Sequence, residues 1–581
     1  MIPSDNEGFT EEQKQYLDAF LRGIAARAGG APAGDSAPSD IHRAAQDRFI
    51  AAGKKLVAEE EVKRKGHPLD MWDELMAEAA EGRFPKGTDV FRHKFFGLFY
   101  AAPAQNAFMC RLRMPNGILM SYQLRAVADI AEAHAGGYAD VTTRANLQLR
   151  EIMPQSILAV LTAVTDAGLT SRGAGADNIR NITGSPTAGI DPQELVDTRP
   201  LARTLHHYIL NHRELYGLPR KFNIAFDGGG RIGVLEDTND IGFAAVAVPE
   251  GSGVPAGVYF RMQLGGITGH GDFGRDAGVL LTPEECVPVA VAVVRVFIAH
   301  GNRTDRKRAR LKYVIEAMGL APFMAAVDHE LGRKLTHFGL EACVPRGPVV
   351  KHGHVGVHPQ RQLGLNYLGV VLPVGRLIAS QMRGLANVAA TYGSGTIRLT
   401  VWQNLLISDV PDASVPAAKA AIEALGLGLV ASAVRGGLVA CTGNTGCKFA
   451  ATDTKGQAMA LADYLDRRVA LDRPINIHLT GCPNSCAQHY VGDIGLLGVK
   501  IGNEMVEGYA VLLGGGAGGE RALAREIYSE VSMADLPGTI ERMLKGYIAH
   551  RRDGESFHDF TARYPIETLR ALFDTADGMA A

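Results

Sequence analysis

Sliding the chain against itself by 258 positions uncovers an internal repeat. Pro115, Gly117, Leu119, Gln123, Arg125, Ala128 and Ala131 fall on Pro373, Gly375, Leu377, Gln381, Arg383, Ala386 and Ala389. Gly137, Thr142, Asn146 and Leu147 fall on Gly395, Thr400, Asn404 and Leu405, with no gap across the window. Each copy reads as strand, turn, helix, turn, strand, a compact α+β unit. The echo continues with slightly different shifts, as loop insertions produce: Thr183-Gly184 with Thr442-Gly443, Asn223-Ile224 with Asn476-Ile477, Asp240-Ile241-Gly242 with Asp493-Ile494-Gly495, and Ile298-Ala299-His300 with Ile548-Ala549-His550. This period is far beyond the roughly 20–50 residues of a solenoid. At 581 residues the chain also exceeds one ordinary core. Two similar halves related by a pseudo-two-fold axis are expected.

The halves differ in chemistry. Cys441 and Cys447 stand in Cys-Thr-Gly-Asn-Thr-Gly-Cys, and Cys482 and Cys486 in Gly-Cys-Pro-Asn-Ser-Cys. Under the shifts above they face Ile182, Ala188, Gly229 and Gly233, so one copy alone carries the cluster. Two tight pairs separated by room for a helix and a strand can converge on one point. Thiolates bind soft metals. The pairs are spaced more widely than in most structural zinc sites, which favours a four-cysteine iron–sulfur cluster. Zinc and redox thiols remain as alternatives. Cys110, Cys286 and Cys343 are scattered and read as small packed residues, so this is not a secreted disulfide scaffold. The net charge of -2 argues against a nucleic-acid binder. The N-terminus is polar, without a secretory leader, and a cytoplasmic protein is expected. The most apolar run, Val287 to Ala299, is too short for a membrane span and contains Arg295. Behind Thr282-Pro283-Glu284-Glu285 it reads as a capped, buried helix.

With the cysteine motifs on the page, a resemblance becomes specific. Cys441-Thr442-Gly443-Asn444 followed by Thr480-Gly481-Cys482-Pro483-Asn484-Ser485-Cys486-Ala487-Gln488 resembles the sirohaem-containing nitrite and sulfite reductases. Val357-His358-Pro359-Gln360, Gly364-Leu365-Asn366-Tyr367, Pro373-Val374-Gly375-Arg376-Leu377, Arg111-Leu112-Arg113-Met114-Pro115-Asn116-Gly117 and Asp140-Val141-Thr142-Thr143-Arg144 are similar to the ferredoxin-dependent nitrite reductase branch. The resemblance implies an α+β, internally duplicated architecture with two ferredoxin-like half-domains and two sirohaem-binding α+β domains. The expected divisions are an N-terminal extension with linker at 1–95, half-domains at 96–165 and 346–415, a first reductase domain at 166–345, and a second at 416–581 with the cysteines and a helical tail. It also implies that Cys441, Cys447, Cys482 and Cys486 hold a [4Fe–4S] cluster, with Cys486 shared as proximal ligand of the sirohaem iron. The implied activity is six-electron reduction of nitrite to ammonium in nitrate assimilation, by a monomer taking electrons from ferredoxin. The alternative is reduction of sulfite to sulfide.

Sirohaem carries eight carboxylates, so its pocket needs charge-assisted donors. Thr142, Arg144, Asn146, Gln148 and Arg150 alternate as on one strand face. They, together with Arg113 and Arg220, are the cofactor-binding candidates. Arg303, Arg306, Lys307, Arg308, Arg310 and Lys312 crowd one helix or its approach, facing cofactor, an acidic donor protein or solvent. The family pattern places the catalytic candidates at Arg111, Arg180, Lys221 and Asn223. Sulfite-reducing relatives typically carry a second lysine at the Asn223 position, and a neutral amide suits a monoanion. Two further motifs read as decoys. Gly269-His270-Gly271-Asp272-Phe273-Gly274 fits a dinucleotide fingerprint without its βαβ context and reads as a loop. The histidines around Lys351-His352-Gly353-His354 and His358 read as structural or as lining the cofactor edge. Outside the repeat, a helix is expected from Thr10 to Ile24 and a flexible link or strap from Ala25 to Ser39.

Overall fold

The computed structural model describes residues 40–574; the helix expected at Thr10 to Ile24 and the link at Ala25 to Ser39 lie outside them. The α+β class and the duplicated architecture are those expected. Among the described residues four sheets carry the fold, two per half.

In the first half, the strand Ile118–Met120 leads into the helix Ser121–His134 and then the hairpin Tyr138–Val141 and Leu147–Ile152. In the second, Arg376–Ile378 leads into Ala379–Tyr392 and then Thr396–Leu399 and Leu405–Pro411. The copies agree in detail. Asn116, Ala145 and Glu151 adopt left-handed backbone, as do Val374, Gln403 and Asp409 at the matching positions. Gln123 caps its helix by accepting from the Met120 amide at 2.9 Å and donates to the Ala167 carbonyl at 3.1 Å. Gln381 repeats both bonds, to Ile378 and Leu425, at 3.2 and 3.3 Å.

The two units exchange their first strands. Arg376–Ile378 pairs antiparallel with Tyr138–Val141, and Ile118–Met120 pairs antiparallel with Thr396–Leu399. Each strand therefore finishes the other half's sheet. The helices pack against each other through Leu124, Val127, Ala128 and Ala131 on one side and Met382, Leu385, Ala386 and Ala389 on the other, all within one shared core. Burying each leucine contributes roughly 1.5–3 kcal/mol. On the rim, Arg383 pairs with Asp129 at 2.8 Å, and the equivalent Arg125 donates to Asn387 at 2.6 Å.

The larger sheets repeat as well. Ile224–Asp227 runs parallel to Ile241–Val248, and Asn476–Thr480 runs parallel to Ile494–Ile501, in the same register. The helices Cys286–His300 and Leu536–His550 close the two sheets, with apolar faces buried in separate cores. The capping box before the first of them forms as expected, Glu285 accepting from the Thr282 amide at 2.8 Å. One expected match fails. Thr183 pairs with Ala225, and the equivalent of Ala225, His478, pairs with Val439, so Thr183 corresponds to Val439 and not to Thr442. Ladder register, which fixes strand equivalence, overrides the shared Thr-Gly dipeptide. The C-terminal segment forms helices Phe557–Arg563 and Ile566–Asp574, which pack onto the core beneath the second half's larger sheet through Phe557, Phe560, Leu569 and Phe573.

Gly117 and Gly375 close equivalent turns at φ of 69° and 80°. A Cβ on Gly117 would stand 2.7 Å from the Leu399 carbonyl oxygen, and one on Gly375 would stand 2.6 Å from that of Val141. Gly117→Ala and Gly375→Ala are each expected to cost about 1–3 kcal/mol, measured as matching losses in chemical denaturation. A loss at one position alone would contradict their equivalence.

Candidate active site between the two halves

The cysteine loops begin where parallel strands end. Gly437–Ala440 pairs with Asn476–Thr480 so that Ala440 faces Leu479, placing Cys441 and Gly481-Cys482 beside each other past the carboxyl ends. Gln403 clasps this end, donating to the Ala440 carbonyl and accepting from its amide, both at 2.9 Å. Ser485 and Gln488 turn through left-handed backbone, and the Ala487 amide reaches the Thr480 hydroxyl at 3.3 Å. The first half grips these loops directly. Thr143 donates to the Cys486 carbonyl at 2.9 Å, and Gln488 donates to Thr238 at 3.1 Å. Arg150 donates to the Thr442 hydroxyl at 2.6 Å and the Gly446 carbonyl at 3.3 Å.

All four thiols line one cleft of about 670 Å³ between the halves, within the roughly 300–1,000 Å³ of cofactor pockets. The Gly481 amide donates to the Cys441 sulfur at 3.2 Å, with the Thr454 hydroxyl 3.5 Å from it. Burial pushes the Cys482 thiol up to about 11 and raises that of Cys441, so a metal must displace their protons. Among the described residues no three His, Cys, Asp or Glu side chains converge on a single ion. A [4Fe–4S] cluster takes four separate thiolates, one per iron, and four thiols on one cleft wall supply them. The residues present fit a [4Fe–4S] cluster.

The rest of the cleft wall carries twelve lysines and arginines, Lys448 and Lys455 on the cysteine half among them, and one carboxylate, Asp140. Arg111 ends the strand Phe108–Arg111, its guanidinium 4.5 Å from the centre of the Phe99 ring. Among the described residues neither its guanidinium nor the Lys221 ammonium has a hydrogen-bond acceptor. Burial pushes Arg111 down to about 10. Burial, then the charge of Arg310, pushes Lys221 down to about 7. Arg144 is likewise driven to about 10 by burial and Arg310. Its side chain donates to Asn239 at 3.0 Å and to the Asn223 amide oxygen at 2.9 Å. Asn223 in turn donates its backbone N–H to Asp240, which holds Arg310 at 2.6 Å. Arg180 donates to the Ala174 and Ala176 carbonyls at 2.6 and 2.7 Å, leaving its Nε unpartnered. These cations repel one another and carry unspent donors, so the cleft suits a polyanionic cofactor and a small anion.

The structure brings the expected residues Arg111, Thr142, Arg144, Asn146, Gln148, Arg150, Arg180, Arg220, Lys221, Asn223 and the four cysteines to this cleft. Arg113 is the exception. It is 1% exposed and away from the cleft, donating to the Ile179 carbonyl at 2.8 Å, because the strand that would alternate it with Arg111 ends at Arg111. Thr142 to Arg150 do not form one strand either. Thr142, Arg144 and Asn146 lie on the hairpin turn, where Ala145 is left-handed, and Gln148 and Arg150 lie on the following strand. Asn146 is spent on the turn itself, between the Thr142 hydroxyl at 2.5 Å and the Leu112 carbonyl at 2.8 Å. Of the basic run, Arg306, Lys307 and Arg310 line the cleft, while Arg303 is buried against Glu60 at 2.9 Å.

Sequence reasoning missed Asp140 and Lys455. Burial alone would raise the Asp140 carboxyl, but Lys455, Arg376 and Arg150 hold it below the usual range. No periodic pattern marks a lone acid among cations. The glycine-rich decoy is a loop, as expected, with a 3-10 turn at Thr268–His270. A Cβ on its Gly269 would stand 3.3 Å from that of Ser485, so it covers the cysteine turn. The histidine loop is structural: Lys351 pairs with Asp493 at 2.9 Å, His352 with Asn476 at 2.9 Å, and His354 stacks on Trp402.

Comparison with known proteins places this geometry. Residues 175–335 and 432–578 match the family described as nitrite and sulphite reductase 4Fe-4S domain. Residues 102–167 and 358–425 match the nitrite/sulfite reductase ferredoxin-like half domain. A ferredoxin–nitrite reductase of Synechococcus elongatus is 35% identical over 511 residues, 85% of this chain and 97% of its own length. One from Leptolyngbya laminosa is 37% identical over 469 residues, 78% of this chain and 89% of its own. The solved structure of the Mycobacterium tuberculosis NirA protein matches with a TM-score of 0.82 at 30% identity, covering 90% of this chain and 99% of that one.

Arg150→Leu is expected to loosen the first cysteine loop, weakening iron retention roughly 10–100-fold. Iron and acid-labile sulfide per chain, measured after challenge with a chelator, check this; wild-type retention would show that Arg150 does not support the loop.

Proposed function

The chain belongs to the nitrite and sulphite reductase family, and on that premise we propose that it reduces nitrite to ammonium with electrons from ferredoxin. The observation that carries this reading is the meeting of four thiols and a strongly cationic wall in one cleft. The relatives bearing the ferredoxin–nitrite reductase name match over most of both chains. The site is completed by two halves of one chain, so a monomer suffices. A cytoplasmic location belongs to the same reading; among the described residues no helix is long and apolar enough to cross a membrane.

The family's cofactors are a sirohaem and a [4Fe–4S] cluster, which when bound supply single electrons and a coordination position for the substrate. Cys441, Cys447, Cys482 and Cys486 would hold the cluster, and Cys486 would also serve the sirohaem. Thr142, Arg144, Gln148 and Arg220 would hold the sirohaem carboxylates, and Arg150 supports the cysteine loop beside them. Nitrite takes up six electrons and eight protons to give ammonium and two waters. Arg111, Arg180 and Lys221 draw the monoanion into the cleft through charge at short range. The Lys221 ammonium, depressed towards neutrality, is suited to hand on a proton and be recharged. Asn223 aims Arg144 and adds no charge, which favours nitrite over the dianion sulfite.

Steady-state assays with both anions test the reading, with kcat/KM for nitrite expected to exceed that for sulfite at least about tenfold; a preference for sulfite would overturn it. A pH profile tests Lys221. Its charged form is present below its pKa and lost as pH rises through it, so kcat/KM for nitrite is expected to fall along an alkaline limb starting near pH 7. Lys221→Arg, which keeps its charge, is expected to move that limb upward. An unmoved limb would assign the titration elsewhere.

A further inference from the structure

The loop that carries Arg180 is held by buried charge, part of it from outside the duplicated region. Asp177 is fully buried. Arg306 grips both its carboxylate oxygens at 2.8 Å. Lys63 reaches it at 3.3 Å from the helix Ala58–Lys65, and Arg220 stands at 3.8 Å. Burial would raise this carboxyl, but Lys63, Arg306 and Arg220 together hold it at about 2, so it stays ionised. Lys63 also donates to the Leu218 carbonyl at 2.9 Å and pairs with Glu60, itself fully buried and held by Arg303.

Lys63 thus touches two of the loops that supply cations to the cleft, those of Arg180 and Lys221. The two are laced to each other by backbone bonds: Leu218 N–H to Asp177, Phe222 N–H to Asn178, and Arg180 N–H to Phe222, at 2.8, 3.1 and 2.8 Å. The first loop's path is fixed further by the segment before the repeat. A Cβ on Gly175 would stand 2.4 Å from the Lys94 carbonyl oxygen, and Gly175 separates the two residues whose carbonyls hold the Arg180 fork. The clamp thus serves the half whose wall carries most of the cations.

We propose that Lys63 and Asp177 are positioning residues for anion capture: the buried ion pair locks the Arg180 loop to the Lys221 loop, so that both cations point into the cleft at a fixed separation. This rests on the reading of the cleft as a nitrite site. It gives the N-terminal segment a role in substrate affinity. A misplaced charge weakens capture of the anion more than it slows electron supply, so the effect falls on KM before kcat.

The test compares Lys63→Met, Lys63→Arg and Asp177→Asn with the parent holoenzyme. Lys63→Met is expected to raise KM for nitrite at least about fivefold with kcat within about twofold, at unchanged iron content and sirohaem absorption. Hydrogen–deuterium exchange in 173–181 and 216–223 is expected to quicken in the same variant. Lys63→Arg restores both readouts, and Asp177→Asn moves them further in the same direction. If Asp177→Asn fails to fold, the two Lys63 variants decide alone. Unchanged KM and exchange in Lys63→Met would overturn the proposal. So would a joint loss of kcat, iron and melting temperature that Lys63→Arg does not repair. Should the parent enzyme not reduce nitrite, the functional reading fails by itself, and the exchange measurement, which needs no substrate, still decides the positioning role.

Discussion

Positive charge enclosed between two halves is the constraint on which this molecule is built. A cleft with twelve basic side chains and one acid on its wall is costly to assemble, because each cation loses hydration and repels its neighbours. The lowered pKa values of Arg111, Arg144, Arg180 and Lys221 express that cost. Buried carboxylates relieve it without cancelling it. Asp140 gathers Arg150, Arg376 and Lys455 on the cysteine side. Asp177 gathers Lys63, Arg306 and Arg220 on the other, and Asp240 holds Arg310. What remains uncompensated is available to anions, so cofactor and substrate are counter-ions the scaffold lacks. Their binding therefore stabilises the fold as well as supplying chemistry.

Duplication explains how one chain keeps such a site in place. Exchange of the strands Ile118–Met120 and Arg376–Ile378 makes the half-domains inseparable, and their common core fixes the hairpin that bears Arg144 and Arg150. The copies then diverge at matched positions. Asn223 and Asp240 recur as Asn476 and Asp493, with the backbone bond from asparagine to aspartate intact at 2.9 and 2.7 Å, and each aspartate holds a cation from a non-equivalent position, Arg310 in one copy and Lys351 in the other. Arg144 is matched by Trp402, which stacks on His354 instead of facing an anion. The scaffold bonds were retained in both copies and the open charge in one.

Much of this could be read from the residues. Duplication was visible because turns and caps require particular residues: glycine at Gly117 and Gly375, glutamine at Gln123 and Gln381. The cysteines were visible because their spacing is rare. Less legible was whatever depends on where a strand stops. Arg113 stands two residues after Arg111, a spacing that would put both on one strand face, but the strand ends at Arg111 and the Arg113 side chain turns into the protein. The Thr142 to Arg150 alternation conceals a hairpin turn at Ala145. Thr183 shares a dipeptide with Thr442, yet ladder register pairs it otherwise. Asp140, Asp177 and Lys63 have no local signature, since their importance comes from partners distant in sequence.

On the proposed reading, thiols from one half and cations chiefly from the other would enclose a cluster and a sirohaem that share Cys486. Mössbauer spectroscopy on isotope-enriched protein tests it most directly. Magnetic coupling between the sirohaem iron and the cluster irons is expected in the parent chain and is expected to vanish in Cys486→Ser with the cluster retained. Coupling that persists undiminished in that variant would contradict the account.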